Sequence, residues 1–282
     1  MYILDFAKRL TKKQNIGIFI YLILNTLLVM AIFKNPITGF IIYLISLGLA
    51  LSPFGEWILR LQQGCKPLSR KEHKERLTPL FNEVSSRAKA IDPSIPEGVK
   101  LFISNDSTPN AFATGRKTIC LTKGILEYND EEIKAILAHE FGHLSAKDTD
   151  FILIVAVGNM IVTALFVIYR LFISFVGIVL SMINNSLSTL LMTFLIDVVL
   201  VGVMWLWTKF GIVLVMHSVR KNEYEADAFA HKCGFGNSLI HALDRLNEID
   251  VQSAKGLWAN LASSHPDPDQ RIGKLQDLQE AA

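Results

Sequence analysis

The sequence predicts a mainly α-helical membrane protein that has four transmembrane helices and an α+β domain with a small sheet. Three observations support this fold class. First, 51% of the 282 residues are hydrophobic and the mean hydropathy is +0.35, which is high for a soluble protein. Second, two long regions are apolar and almost free of charge. Third, the rest of the chain has the charge content and the alternating patterns of a soluble domain.

The first apolar region predicts a transmembrane hairpin. Ile16 to Phe33 carries no charge, and after Lys34 and Asn35 a second apolar run extends to about Phe54. Each run is close to the ~20 residues that cross a bilayer core. A signal peptide is disfavoured because a second span follows instead of a small-residue cleavage site. We therefore expect residues 1–54 to form an N-terminal tail and the first hairpin.

Basic residues on both sides of this hairpin predict its orientation. The connecting turn carries one lysine, whereas the flanking segments are strongly positive. Their basic residues are Lys8, Arg9, Lys12, Lys13, Arg60, Lys66, Arg70, Lys71, Lys74 and Arg76. Because positive flanks stay on the cytoplasmic side of a membrane, the N-terminus and the domain after the hairpin are expected in the cytoplasm.

Residues 55–150 predict the first part of the α+β domain. Ser69 with Glu72 has the form of a capping box, which is typical of a helix start. Val99 to Ile103 alternates between apolar and polar residues as a strand does, and Asn110 to Thr122 has the pattern of two extended segments. A helix followed by a small sheet is therefore expected here.

The segment His139-Glu140-Phe141-Gly142-His143 predicts a metal site. Asn129 with Glu132 marks the start of its helix, in which residues i and i+4 share one face, so both imidazoles can reach one ion. A catalytic zinc has three protein ligands and an open position for water. Glu140 is placed to take a proton from that water and to pass it to the leaving amine.

The third metal ligand is expected to be an acidic or histidine side chain elsewhere in the chain. The candidates are Glu223, Glu225, His217, His231, His241 and His265. Glu223 and Asp227 lie four residues apart in a segment predicted to be helical, so one face offers two carboxylates. Glu223 can then bind zinc while Asp227 accepts a hydrogen bond from a ligating histidine. Glu225 lies on the other side of this helix and is interpreted as solvent-facing.

The second apolar region separates the two halves of this metal site. Residues 151–216 contain two apolar runs divided at Asn184, each longer than one bilayer crossing. If His143 and Glu223 bind one ion, the chain between them must cross the membrane an even number of times. A hairpin satisfies this condition and places the zinc close to the bilayer surface. Residues 217–282 are then the second part of the domain.

Three ionisable residues interrupt the second apolar region. Ions inside a membrane usually pair with each other or face water, so an Arg170–Asp197 pair across the hairpin is our hypothesis. Lys209 is interpreted as an interfacial residue because it lies beside Trp205 and Trp207.

The composition argues against two other classes of protein. The net charge is only +2 and no basic run alternates with aromatic residues, so no nucleic-acid partner is expected. Cys65, Cys120 and Cys233 are far apart and form no CxxC pair. Neither a disulfide framework nor a thiolate metal site is therefore predicted.

Four motifs in one order resemble those of the HtpX-like integral-membrane zinc metalloproteases, which are related to CAAX-processing membrane proteases. The motifs are PNAFATG (Pro109 to Gly115), HEFGH followed by Asp148, EYEAD (Glu223 to Asp227) and HPDPDQR (His265 to Arg271). Together with the four expected spans, the resemblance extends over nearly the whole chain.

The resemblance implies a role for each matched position in the metal site. It implies one zinc ion per chain, bound by His139, His143 and Glu223, with Glu140 as the catalytic base. Asp227 is implied to support the ligands from behind.

The other two motifs imply contacts with the substrate. Asn110, Ala111 and Phe112 are implied to form an edge strand that binds an extended substrate by backbone pairing. His265 and Arg271 are implied to stabilise the oxyanion of the tetrahedral intermediate.

The resemblance also implies a location and a function. The expected protein is a multi-pass protein of the bacterial cytoplasmic (inner) membrane, whose zincin-type protease domain and both termini face the cytoplasm. It is expected to act in protein quality control and the stress response by hydrolysing misfolded or damaged membrane proteins. The alternative is a catalytically silent, zinc-containing membrane scaffold or transport component. Glu140 argues against this alternative because a structural zinc site needs no base.

Overall fold

A computed structural model describes residues 10–12, 15–33, 35–250 and 267–281. The helices are α1 Ile16–Ile32, α2 Pro36–Ala50, α3 Pro53–Gln62, α4 Lys71–Ile91, α5 Asp130–Ala146, α6 Asp148–Ile183, α7 Leu187–Lys232, α8 Gly236–Asp250 and α9 Pro268–Glu280. The strands are β1 Lys66–Pro67, β2 Lys100–Ser104, β3 Ala111–Thr114 and β4 Thr118–Thr122, and a 3-10 helix, Lys123–Glu127, precedes α5. The prediction of a mainly helical protein with a small sheet is confirmed.

The small sheet has the strand order β1-β2-β4-β3. β2 and β4 are parallel, and the other two pairs are antiparallel. β3 forms one edge, so Ala111 and Phe112 lie in an edge strand as predicted, while Asn110 directly precedes it. The turn between β3 and β4 contains Gly115, whose φ of 58° favours glycine.

Segments before and after the two long apolar helices share one hydrophobic core. α4, α5 and the sheet contribute Val84, Phe141 and Leu121, and α8 and α9 contribute Leu243 and Leu275, all of which are buried. Residues on both sides of the two long apolar helices, α6 and α7, therefore fold into one unit. This shared core holds the metal-ligand helices at fixed positions.

The two predicted helix starts differ in outcome. At α5 the Asn129 side chain accepts a hydrogen bond from the Glu132 N–H, and the Glu132 carboxylate accepts one from the Asn129 N–H, so this capping box is confirmed. The predicted box at Ser69 is wrong, because α4 begins at Lys71 without a side-chain cap. Arg70, with extended backbone angles (φ −68°, ψ 134°), is the N-cap residue of α4 in place of Ser69.

Two helical segments are long and apolar enough to cross a membrane within the described ranges. They are Val162–Ile183 in α6 and Leu187–Val215 in α7, which agree with the predicted second hairpin. α1 is apolar but has 17 residues, and α2 and α3 together qualify only as a pair bent by 71°. The second predicted run therefore does not form one straight helix as far as Phe54, because the chain bends after α2.

An ion pair joins the two long helices, as hypothesised. Arg170 Nη2 donates to Asp197 Oδ2 at 2.8 Å, and Arg170 Nε donates to the other carboxylate oxygen. The Ser174 hydroxyl donates to the same carboxylate at 3.2 Å. The two charges within these candidate spans therefore satisfy each other.

Candidate metal centre

The side chains of His139, His143 and Glu223 converge at one point between α5 and α7. The two histidine Nε2 atoms are 3.2 Å apart. His139 Nε2 lies 3.4 Å from Glu223 Oε2, and His143 Nε2 lies 3.2 Å from Glu223 Oε1. All three side chains are buried.

These separations fit a tetrahedral metal ion. Ligand atoms bound to a tetrahedral zinc at about 2.0–2.1 Å lie about 3.3–3.4 Å from one another. Two imidazole nitrogens and one carboxylate oxygen form a known donor set of catalytic zinc sites, which keep a fourth position open for water. In the part of the chain that the structure describes, these three residues form the group that can hold a metal ion. The residues present therefore fit a catalytic zinc.

The close approach of α5 and α7 depends on Gly142. A Cβ atom at position 142 would lie 2.8 Å from the Ala226 Cα and 3.0 Å from the Ala226 carbonyl oxygen. These are backbone atoms of a packed helix and cannot shift without moving the helix. The glycine of the HEFGH segment therefore allows His143 and Glu223 to come within range of one ion.

Asp227 lies behind His139, one turn after Glu223. Its Oδ1 is 2.8 Å from His139 Nδ1. The Arg271 guanidinium donates to both carboxylate oxygens, from Nε at 2.8 Å and from Nη2 at 2.6 Å. Burial alone would raise the pKa of Asp227, but the hydrogen bonds from Arg271 and His139 lower this pKa to about 2. An ionised Asp227 favours the His139 tautomer that has Nδ1 protonated and Nε2 available to a metal.

Arg271 lies behind the candidate ligands on α9. The residue is 5% exposed, and its Nη1 lies 3.4 Å from Glu223 Oε2. These contacts favour a role in holding Asp227 and Glu223, and the oxyanion role stays a prediction. Sequence reasoning missed the Arg271–Asp227 pair because no local pattern links residues that are 44 positions apart.

A second carboxylate, that of Asp148, lies behind His143. Asp148 Oδ2 is 3.6 Å from His143 Nδ1, and both side chains are buried. Lys147 has left-handed backbone angles (φ 56°, ψ 29°), which end α5 and direct the first residue of α6 towards His143. Asp148 belongs to the motif that begins with HEFGH, but its contact with His143 was not predicted from the sequence. Its position after the HEFGH segment was the available signal.

Glu140 lies where two clefts meet, and its side chain is buried. The domain cleft has a volume of about 270 Å³ and is lined by Ile125, Ile136, Leu239 and Leu243. The membrane-side cleft has a volume of about 210 Å³ and is lined by Ile18, Phe151 and Val215 of α1, α6 and α7. Asn110 and Ala111 border both clefts. A polypeptide lying across both clefts would therefore pass Glu140.

The open edge of β3 borders both clefts. Asn110 pairs with β4, because its carbonyl oxygen accepts a hydrogen bond from the Thr122 N–H at 2.9 Å and its N–H donates to Thr122 Oγ1 at 2.8 Å. Backbone direction alternates along an antiparallel strand, so the N–H and C=O groups of Ala111 and Ala113 face away from β4. An extended peptide can pair with these groups.

The remaining candidate ligands do not join the metal group among the described side chains. Glu225 and His241 are exposed, and His231 is half-buried at the end of α7. The side chain of His217 and the whole of His265 lie outside the described residues, so the implied role of His265 stays a prediction.

Comparison with known proteins identifies the family to which the chain belongs. Residues 72–279 match the model of Peptidase family M48. The chain is 28% identical over 217 residues to a Protease HtpX homolog of Neisseria meningitidis serogroup B, which covers 71% of this chain and 72% of that protein. It is also 28% identical over 246 residues to Protease HtpX of Pseudomonas aeruginosa, which covers 78% of this chain and 79% of that protein.

A solved structure has a similar fold. The crystal structure of S. mikatae Ste24p aligns with a TM-score of 0.50 and 22% sequence identity. The alignment covers 97% of this chain and 65% of that chain, so this protein spans about 65% of the length of S. mikatae Ste24p. At this identity the similarity concerns the fold alone.

The matched region contains the residues that converge in the structure. It includes the HEFGH helix α5, Glu223 and Asp227 on α7, and Arg271 on α9. The match covers well over half of the 282 residues. The chain therefore belongs to peptidase family M48, as an HtpX-like metalloprotease.

Proposed function

We propose that this protein is a zinc-dependent endopeptidase that cleaves misfolded or damaged membrane proteins at the cytoplasmic face of the bacterial inner membrane. The observation that carries the proposal is the convergence of His139, His143 and Glu223 beside Glu140, next to the open edge of β3. A role in protein quality control and in the stress response follows from the resemblance to HtpX proteins.

The residues of the site have different roles in catalysis. A zinc ion held by His139, His143 and Glu223 would supply a Lewis acid and an activated water. The Glu140 carboxylate would accept a proton from the attacking water and donate it to the leaving nitrogen. Asp227 and Asp148 hold the two imidazole rings from behind, and β3 holds the peptide in an extended form.

The membrane-side cleft supports membrane proteins as the substrates. Ile18, Phe151 and Val215 belong to helices of the two apolar regions, so this end of the cleft opens beside the membrane-embedded part of the protein. A polypeptide that leaves the bilayer can reach Glu140 over a short distance. Unfolded soluble polypeptides can enter by the domain cleft, and no nucleic-acid partner is proposed.

We further propose four membrane spans, with α1 and α2 as the first hairpin. A helix of 17 residues is about 26 Å long, close to the ~30 Å hydrocarbon core. α1 also packs on α7, where Trp207 Nε1 donates to Asn25 Oδ1 at 3.1 Å. In this arrangement residues 1–54 and 151–216 are the membrane parts, residues 55–150 and 217–282 form the protease domain, and both termini face the cytoplasm.

The alternative functions, a silent scaffold or a transport component, receive no support. A structural zinc site needs no adjacent base, yet Glu140 lies beside the candidate ligands. Arg170 and Asp197 pair with each other, so they do not mark a path for a transported ion.

The test is metal analysis and proteolysis with the protein purified in detergent. We expect about one zinc per chain and, for Glu140→Gln, a loss of cleavage of unfolded casein of about 10²–10⁴-fold. Glu223→Ala should lose the metal, whereas the matched control Glu225→Ala, at an exposed position of the same helix, should keep it. Equal cleavage by wild type and Glu140→Gln would disprove the mechanism.

Reporter fusions test the proposed topology. A fusion at residue 185 and one at the C-terminus should lie on opposite sides of the membrane, because one span of the second hairpin separates them. Reporters on the same side would exclude the four-span arrangement.

A further inference from the structure

Helix α3 has one exposed apolar face and one face packed on the protein. Phe54, Trp57 and Leu61 are 53%, 47% and 59% exposed, and their spacing places them on one side of the helix. The rings of Phe54 and Trp57 stack with centroids 5.6 Å apart. Glu56 and Leu59 lie on the opposite side and are buried. α3 is therefore amphipathic, and its apolar face has no covering within the described residues.

Exposed apolar residues of α2 extend to Leu49, which is 47% exposed and lies five residues before Phe54 of α3. The two helices are separated by Leu51 and Ser52 and are bent by 71°. Ser52 starts α3 by accepting a hydrogen bond from the Phe54 N–H at 3.2 Å. If α2 crosses the membrane, a helix turned by this angle runs almost along the bilayer surface. Aromatic residues are enriched at that depth, and a basic residue, Arg60, lies on the same helix.

The buried face of α3 binds the turn that ends strand β3. Glu56 Oε1 accepts a hydrogen bond from Thr118 Oγ1 at 2.5 Å, and Oε2 accepts one from the Arg116 N–H at 3.2 Å. A Cβ at Gly115 would lie 2.6 Å from the Glu56 carboxylate, so the glycine leaves room for this contact. The Arg116 side chain donates to Asp150 of α6 at 3.2 Å. The β3–β4 turn is therefore held between α3 and α6.

We propose that α3 is a membrane-surface helix whose apolar face lies in lipid, and that Glu56 couples it to β3 so that the open edge of β3 stays at the bilayer surface. This inference rests on the proposed function of β3 as the substrate-binding strand. The apolar face of α3 contacts lipid rather than a second protein because α3 directly follows the apolar helix α2, with which it forms a bent candidate membrane segment, and because its opposite face already contacts the β3–β4 turn. The enzyme then cleaves preferentially where a polypeptide leaves the membrane.

The depth of α3 is tested with a spin label at position 57. Trp57→Cys is labelled in a background of Cys65→Ser, Cys120→Ala and Cys233→Ala, and the full chain is reconstituted in phosphatidylethanolamine–phosphatidylglycerol vesicles. We expect accessibility to both oxygen and a water-soluble nickel complex, as at the lipid–water boundary. A label accessible to oxygen but not to the nickel complex would lie at the bilayer centre and show a membrane span. A label accessible only to the nickel complex would show a water-exposed helix. A label accessible to neither reagent would show a protein contact. Each of these three results would overturn the proposal.

The consequence for cleavage is tested with the double variant Trp57→Ser/Leu61→Ser. Its substrates in vesicles are a membrane-anchored polypeptide with an unfolded cytoplasmic segment and soluble casein. We expect cleavage of the anchored polypeptide next to the membrane to fall about tenfold, because misplacement of substrate and catalytic group is costly, with casein cleavage unchanged. Leu278→Ser, at an exposed apolar position of α9, is the matched control and should change neither rate. Unchanged cleavage of the anchored polypeptide by the double variant would refute the inference.

Substitution of Glu56 tests the coupling to β3. Glu56→Gln places an amide opposite donor groups, so we expect the KM for casein to rise about tenfold while kcat and zinc content stay at wild-type values. A merely structural role would lower kcat and zinc content together, and that result would overturn the positioning role. If wild type and Glu140→Gln cleave equally, the proposed function fails, but the depth measurement at position 57 still decides whether α3 lies in lipid.

Discussion

Replacement of Asp227 by asparagine tests how the candidate metal ligands are held in place. Asp227 is 3% exposed, accepts hydrogen bonds of 2.8 and 2.6 Å from Arg271, and lies 2.8 Å from His139 Nδ1. Asparagine keeps the size of the side chain but loses the negative charge and one acceptor oxygen. Asp227→Asn therefore leaves the buried Arg271 guanidinium without its closest counter-charge.

Two losses of different origin are expected from Asp227→Asn. Loss of the carboxylate that orients the His139 ring should lower zinc affinity by about 10–100-fold, the usual effect of removing the hydrogen-bond partner of a ligating histidine. In the zinc-free protein, breaking a buried ion pair from one side should lower the free energy of unfolding by about 3–5 kcal/mol. Glu223 reduces this second loss, because its Oε2 lies 3.4 Å from Arg271 Nη1 and supplies part of the missing charge.

The two losses are measured separately in detergent. Zinc affinity is determined by competition with a chromophoric chelator, and the stability of the zinc-free protein is compared from its thermal unfolding. Arg271→Met added to Asp227→Asn is the matched control, because it removes the unpaired charge. We expect the double variant to be more stable than Asp227→Asn alone, while zinc affinity stays low. Wild-type zinc affinity in Asp227→Asn, or purely additive losses of stability, would refute this reasoning.

Three further predictions concern other parts of the protein. Gly142→Ala should lose zinc and lower the unfolding temperature, because its Cβ would lie 2.8 Å from the backbone of α7. Gly273→Ala is the control and should keep the zinc and the unfolding temperature of the wild type, because a Cβ at position 273 meets nothing within 4 Å. Equal behaviour of the two variants would count against the packing argument. Asp148→Asn should weaken zinc binding by about 10–100-fold, as measured with the same chelator, and unchanged affinity would show that Asp148 does not orient its histidine. Cys65 should be alkylated by iodoacetamide near pH 8 before Cys233, because the cysteine with the lower pKa has more thiolate. A hydrogen bond from the Cys120 thiol of β4 lowers the pKa of Cys65. Burial raises the pKa of Cys233 to about 11. Peptide mass spectrometry measures the order of labelling, and the reverse order would contradict the prediction.

Local features of the site could be predicted because they depend on residues a few positions apart. The spacing of His139 and His143 places both on one helix face, and the Asn129–Glu132 capping box defines where that helix begins. Glu223 and Asp227 share a helix face for the same reason. The alternation from Val99 to Ile103 likewise predicted β2.

Features that depend on competition between neighbouring elements were predicted less well. Ser69 and Glu72 have the residues of a capping box, yet the N-cap of α4 is Arg70, three residues after the last β1 residue that pairs with β2. The second apolar run appeared continuous to about Phe54, yet the chain turns after α2, and Phe54 lies on the exposed face of α3. Apolar composition predicts burial in lipid, but it does not specify the direction of a helix.

The sequence by itself determined that two histidines and a glutamate could reach one ion, and that a pair of apolar runs had to lie between them. Only the tertiary structure decided which side chains hold these ligands from behind. Arg271 reaches Asp227 because α9 packs on α7, Asp148 reaches His143 because Lys147 turns the chain, and Glu56 reaches the β3–β4 turn because α3 bends away from α2. Each contact joins different helices or strands, and their relative placement depends on the packing of the whole core, which no short-range pattern encodes.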